Sequence, residues 1–182
     1  MTQLIHLFIG KEVALYVKDI FVDELKKLAS FKSKDYSTAL KEAFIKVDEI
    51  LKSPAGIKDV VKYSTSNDST SSLFGRPESD NLALYTGCTA CVALITDSEI
   101  YCANAGDSRC VLSENGKAIE LSIDHKPDMI TEKARIEKAG GFVEDNRVKG
   151  VLNLSRSLGD LEYKQDNTIS VENQMITCVP EI

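Results

Sequence analysis

Few residues in this chain could do chemistry, and they lie far apart in sequence. Asp107 stands in Gly106-Asp107-Ser108-Arg109, where a carboxylate, a hydroxyl and a guanidinium follow a glycine. Read from its residues alone, Asp107 is a turn aspartate that accepts from nearby backbone amides. Arg109 reads as one half of a structural ion pair or as a cap on carbonyls. Asp124 and His125 are adjacent and admit two readings, a catalytic pair or local hydrogen bonding at a helix entry. Ser155 has no base beside it in sequence, so no nucleophile is assigned there. His6 reads as a residue of a short, frayed strand.

Five cysteines are present. Cys88 and Cys91 form a Cys-x-x-Cys, and with Cys102 and Cys110 they supply the four thiolates of a structural zinc site. Against this, the second pair has a different spacing, and all four fall in or beside strand-like runs, where cysteine packs as a small apolar residue. Cys178 makes the number odd.

The elements that must position these residues can be read from periodicity. Apolar residues at Val13, Val17, Phe21, Leu25 and Leu28 form one helical stripe over residues 11–30, and Leu40, Phe44, Val47 and Leu51 form a second. Asp35 and Ser37 are candidate caps for that second helix. Residues 64–72 are almost entirely Ser, Thr, Asn and Asp and read as an exposed loop. Short β-branched or aliphatic runs follow at 90–96, 99–104, 109–112 and 118–121. Asn115-Gly116 between the last two supplies the positive φ values of a tight hairpin. A helix is expected from Pro127 to Gly140, then strands at 141–143, 148–154 and 175–179. The pattern predicts an α+β fold in one domain, with helices covering antiparallel sheets.

With 182 residues, 43% hydrophobic and 27% charged, the chain can bury a sizeable core. Its net charge of −6 argues against general affinity for nucleic acid or anionic lipid. The apolar run at 4–9 is too short to span a membrane. Odd cysteines without a secretory signal point to reduced thiols in the cytoplasm or nucleus.

Several motifs stand in a fixed order: Thr86-Gly87-Cys88-Thr89-Ala90, Ala105-Gly106-Asp107-Ser108-Arg109, Asp124-His125-Lys126-Pro127, Arg135 to Gly141, Arg147-Val148, and Leu154-Ser155-Arg156-Ser157-Leu158-Gly159-Asp160. In order and spacing they resemble the metal-dependent protein serine/threonine phosphatases of the 2C type. The likeness extends back to Gly10-Lys11-Glu12-Val13-Ala14 and forward to Val179-Pro180-Glu181-Ile182, so residues 1–182 are read as a partial phosphatase domain.

The resemblance implies a four-layer αββα sandwich of two antiparallel sheets flanked by helices, incomplete at both ends. It also implies two Mg²⁺ or Mn²⁺ ions and phosphoprotein substrates. Asp107 matches a family aspartate near the metal centre that binds a third metal directly or through water. The family's Asp-Gly-His-Gly-Gly motif is matched only at Gly10, and its later metal-binding aspartates have no counterpart here. No catalytic residue is therefore assigned. The chain is expected to be inactive as it stands, with a catalytically dead binding module as the alternative. It is expected to pair with other chains through unpaired sheet edges, and Asp160 is expected to close a packing turn.

Overall fold

The computed structural model describes residues 3–9, 11–64 and 82–182, the first of these through the backbone. Of the Ser/Thr-rich loop only Ser64 falls among them; residues 65–72 lie outside the described residues.

Two long helices follow from the two apolar stripes. Helix α1 (Lys11–Lys27) buries Val13, Val17, Phe21 and Leu25. It stops short of residue 30 because Leu28 is extended (φ −64°, ψ 140°), and the short α2 (Ala29–Lys32) starts afresh. Helix α3 (Tyr36–Lys52) buries Leu40, Phe44, Val47 and Leu51. Asp35 caps it, accepting from Thr38 N–H at 3.2 Å, while Ser37 lies inside the helix. The helices meet through Phe21 and Phe44, whose rings stand edge to face with centroids 5.3 Å apart. Helix α4 (Pro54–Val61) was not expected from periodicity. Its signal is local: the Ser53 hydroxyl accepts from Gly56 N–H at 3.0 Å, and Pro54 takes the first helical position. A single turn, α5 (Leu82–Tyr85), precedes the sheet.

The helices cover an antiparallel sheet. Strand β1 (Gln3–Ile9) pairs along its whole length with β2 (Gly87–Ile95), and β2 pairs on its other side with β3 (Ile100–Ala105). His6 therefore sits in the middle of a seven-residue strand, opposite Val92, and not in a frayed end.

Alternation along β2 sorts its side chains. Cys88, Ala90, Val92 and Leu94 enter the core with Val17, Phe44 and the other helix residues, as do Ala103 and Ala105 of β3. Thr89, Cys91 and Ala93, with Cys102 and Asn104, belong to the opposite face. A separate hairpin of β4 (Val111–Glu114) and β5 (Lys117–Glu120) follows, with most of its residues exposed. At its turn Asn115 and Gly116 have φ of 50° and 77°, as a two-residue turn requires.

The last third of the chain is less regular than expected. Helix α6 runs Ile130–Lys138, not from Pro127, because the residues before it are held by side-chain contacts to β3. The strands expected at 141–143 and 148–154 shrink to the pair β6 (Val143–Glu144) and β7 (Arg147–Val148). Strand β8 (Leu158–Gly159) pairs with the start of β2. Residues 175–179 form no strand: they touch the sheet region through single bridges, Arg156 to Thr177 and, just beyond, Asn104 to Glu181.

Candidate functional site

The sequence motifs converge beyond the end of β3, and the turn at Gly106 shows why. Gly106 has φ of 123°, and a Cβ built on it would lie 2.5 Å from Thr89 Cγ2 on β2. Only glycine permits both that backbone and that approach. The turn is stitched down by the Thr89 and Ser108 hydroxyls, 2.8 Å apart and buried.

Asp107, Arg109 and Gly106 then pair with the Asp124-His125-Lys126 motif almost residue for residue. Arg109 Nε donates to Asp124 Oδ1 at 2.9 Å and Arg109 also reaches Glu120 at 3.0 Å. The Arg109 guanidinium holds the Asp124 carboxyl below its usual range. Gly106 N–H donates to His125 Nδ1 at 3.3 Å, and His125 N–H donates to Gly106 O at 2.9 Å. Lys126 Nζ donates to Asp107 Oδ2 at 2.5 Å. The Asp124 and His125 side chains do not pair with each other: each turns to a different partner. Arg109 makes the structural ion pairs that its sequence context suggested.

His125 is buried and its ring is held in one tautomer. Because Nδ1 accepts from Gly106, the proton lies on Nε2, which donates to Glu181 Oε2 at 3.2 Å. Burial, reinforced by Arg156, keeps His125 below the ordinary histidine range despite Glu181. The Glu181 backbone exchanges hydrogen bonds with Asn104 at 2.8 and 2.9 Å, so residues 104, 125 and 181 form one unit.

A second knot lies behind this one. Glu132, 1% exposed, accepts from Arg135 Nη1 (2.7 Å), Arg156 Nη2 (2.6 Å) and Ser155 Oγ (2.7 Å). Burial alone would raise its pKa, but Arg156 and Arg135 override burial and bring it to about 2. The two arginines also donate to the carbonyls of Gln174 and Val179, tying α6 to the segment that ends the chain. Ser155 is spent on this network. Asp160 closes a tight turn with φ of 48° and accepts from Ser157 Oγ at 2.6 Å; burial pushes its carboxyl up. A third buried group joins distant parts: Lys164, with no side-chain exposure, donates to Asp48 Oδ1 at 2.7 Å and to Ser157 O at 2.8 Å.

Glu132, Asp48 and Glu181 were not singled out from the sequence. Asp48 could have been noticed, since it lies on the buried face of α3 between Phe44 and Leu51. Glu132 offers no such signal, because its partners are fixed only by the tertiary fold.

The four cysteines proposed for zinc cannot converge. Cys88 faces the helical core, whereas Cys91 and Cys102 belong to the other face of the sheet. Asp107, the candidate metal ligand, stands at a strand end with its carboxylate on Lys126. Among the described residues no group of three or more His, Cys, Asp or Glu is placed to hold a metal ion. Divalent Mg²⁺ and Mn²⁺ need several oxygen ligands, so the described residues do not by themselves fit the pair of ions that the resemblance implies. No described helix is long and apolar enough to cross a membrane.

Comparison with known proteins agrees with the motif order. The family model for protein phosphatase 2C matches residues 4–182. Protein phosphatase 2C 1 of Paramecium tetraurelia is 49% identical over 173 residues, covering 95% of this chain and 53% of that protein. A probable protein phosphatase 2C 21 of Arabidopsis thaliana is 38% identical, covering 95% and 55%. The chain spans about half the length of the curated relatives it matches. In fold it is similar to a phosphatase from a pathogenic strain of Toxoplasma gondii, at a TM-score of 0.70 and 23% identity, over 99% of this chain and 63% of that one. The chain belongs to the protein phosphatase 2C family.

Proposed function

We propose that this chain is part of a protein serine/threonine phosphatase domain, that the whole domain hydrolyses phosphoserine and phosphothreonine in proteins with Mg²⁺ or Mn²⁺, and that these 182 residues alone do not turn over. The observation that carries the reading is the family match along residues 4–182. Asp107, in the turn just after β3, is proposed as the residue that would hold a third metal ion directly or through water. Its partner Lys126 also lines a polar cleft of about 370 Å³ with Asp128, Arg147 and Asn153. The expectation of inactivity rests on the donor set: one carboxylate is too few for a hard divalent cation.

The test uses p-nitrophenyl phosphate and a phosphothreonine peptide with Mn²⁺. The chain alone is expected to show no EDTA-sensitive hydrolysis and no micromolar Mn²⁺ site by calorimetry. A chimera in which the matched 173 residues replace their counterpart in Paramecium tetraurelia protein phosphatase 2C 1 is expected to be active, and less so with Asp107→Ala. Turnover by the chain alone would overturn the donor-set argument. A folded chimera without turnover would overturn the phosphatase reading and favour a binding module.

A further inference from the structure

Asn104, near the end of β3, is 1% exposed, yet its side-chain Oδ1 accepts from no donor among the described residues. Turning the amide over would not mend this. Its Nδ2 donates to Gly106 O at 3.0 Å and to Ile123 O at 2.8 Å, and a flipped group would set an oxygen against both carbonyls. A buried acceptor without a donor is costly, so this position calls for a partner that carries N–H or O–H. Asn104 also lines a cavity of about 320 Å³, together with Glu120, Leu121, Ile123, Glu181 and Ile182.

The chemistry of that lining narrows the class of partner. Asn104 and Glu181 exchange both backbone hydrogen bonds, at 2.8 and 2.9 Å, and residues directly opposite in an antiparallel pair send their side chains to the same face. Glu181 accepts from His125 through Oε2 at 3.2 Å, and Glu120 from Arg109 through Oε1 at 3.0 Å. The second oxygen of each carboxylate has no partner among the described residues. No Lys or Arg lines the cavity, and Leu121, Ile123 and Ile182 give it apolar wall. A guanidinium suits this set: its planar fork of N–H donors can serve a carboxylate and a neighbouring amide oxygen together, and its aliphatic stem packs on apolar surface.

The edge of β3 supplies the reason to expect a polypeptide as its carrier. Backbone groups alternate in direction along a strand. Asn104 turns its N–H and C=O away from β2 to Glu181, so Cys102, two residues earlier, turns its own the same way. No described strand lies beyond β3 on that side, and Cys102 also lines the cavity. An extended segment laid there can pair with the Cys102 backbone. We infer that this cavity recognises an arginine side chain presented by an extended segment of another polypeptide. Asn104 Oδ1 and Glu181 are its acceptors, Glu120 adds negative charge, and Cys102 anchors the incoming backbone. None of these residues has a part in the phosphatase reading, and the site stands or falls without it.

The experiment titrates the isotope-labelled chain with the peptide acetyl-Ala-Arg-Ala-amide and follows backbone amide shifts by NMR. Saturable shifts are expected at Cys102, Asn104, Ile123 and Glu181. Citrulline in place of arginine keeps the shape and loses the charge, and lysine loses the fork; each should weaken binding about tenfold. Agmatine, the guanidinium on its stem without a peptide backbone, should also bind about tenfold more weakly than the arginine peptide. Glu181→Gln retains an acceptor for His125 and should cost about tenfold in affinity. The mapping and the ligand comparisons use the unsubstituted chain, so they hold even if that variant fails to fold. No saturation by about 10 mM, shifts centred elsewhere, unchanged affinity in folded Glu181→Gln, or equal binding of the citrulline peptide, the lysine peptide or agmatine would overturn the inference.

Discussion

Replacing Glu132 with Gln should remove about 3 kcal/mol of stability at pH 7, and two independent routes lead to that figure. The carboxylate is 1% exposed and faces two guanidinium groups that are themselves only 11% and 18% exposed. Removing one partner of such a buried group strands the others, at a cost of about 3–5 kcal/mol. The second route is proton linkage. The Glu132 pKa falls from 4.5 to about 2 on folding, and at about 1.4 kcal/mol per pH unit that difference is worth about 3.4 kcal/mol. Burial, together with the nearby Arg156 charge, outweighs what Glu132 returns to Arg135, so its pKa is lowered and the lower end of the range is the better expectation.

The sign is fixed by the direction of the shift. A carboxyl depressed in the folded state stabilises fully above its unfolded value of 4.5, and that stabilisation is lost as pH falls towards 2. Urea melts of the wild type and Glu132→Gln, followed by circular dichroism at several pH values, should show midpoints about 1–2 M apart at pH 7 for a slope near 2 kcal/mol/M. The gap should narrow to about 1.5 kcal/mol near pH 3. A difference under about 1 kcal/mol at pH 7, or curves that stay parallel from pH 7 to pH 3, would refute the claim that this carboxylate anchors the two arginines.

Three further outcomes are expected. Lys164→Met leaves Asp48 buried opposite a methyl group and should cost about 3–5 kcal/mol in a denaturant melt, with Asp48→Leu added to it recovering part of the loss; equal loss in both variants would count against the ion pair. Gly106→Ala should cost more than about 2 kcal/mol, since the new methyl meets Thr89 Cγ2 at 2.5 Å in a left-handed backbone, and Thr89→Ser in that background should relieve some of it. Because burial lowers the His125 pKa, its contribution is complete above the ordinary value of 6.5 and declines as pH falls below it; His125→Gln should flatten the stability profile just below pH 6.5, where the Glu132 contribution is still complete.

How far the sequence could be read depended on the range of the interaction. The stripes of α1 and α3, the Asp35 cap and the Asn115-Gly116 turn are set by residues within a few positions of one another, and each appears where the local pattern puts it. Residues 175–179 carry the alternation of a strand but form none. Ile176 and Cys178 are buried, yet the backbone of this segment is held by the Arg135 and Arg156 side chains and by single bridges, partners that no local rule could supply. The start of α6 fails for a related reason: His125 and Lys126 are taken by Gly106 and Asp107, which draws the chain onto β3 before a helix can begin.

The same contrast bears on the motifs. Asp124, His125, Lys126, Arg135, Ser155 and Arg156 look like a catalytic inventory, yet among the described residues each is held by a partner distant in sequence. Their joint effect is mechanical. Gly106 is gripped by His125 on one side and pressed against Thr89 on the other, so the Asp107 carboxylate is carried by a turn with little freedom to move. A metal centre requires oxygen ligands held in place before the ion arrives, because ordering them afterwards would cost side-chain entropy. On the proposed reading, the motifs specify the rigidity of the support, and the one group they leave at its tip, Asp107, is the part that would meet the cation.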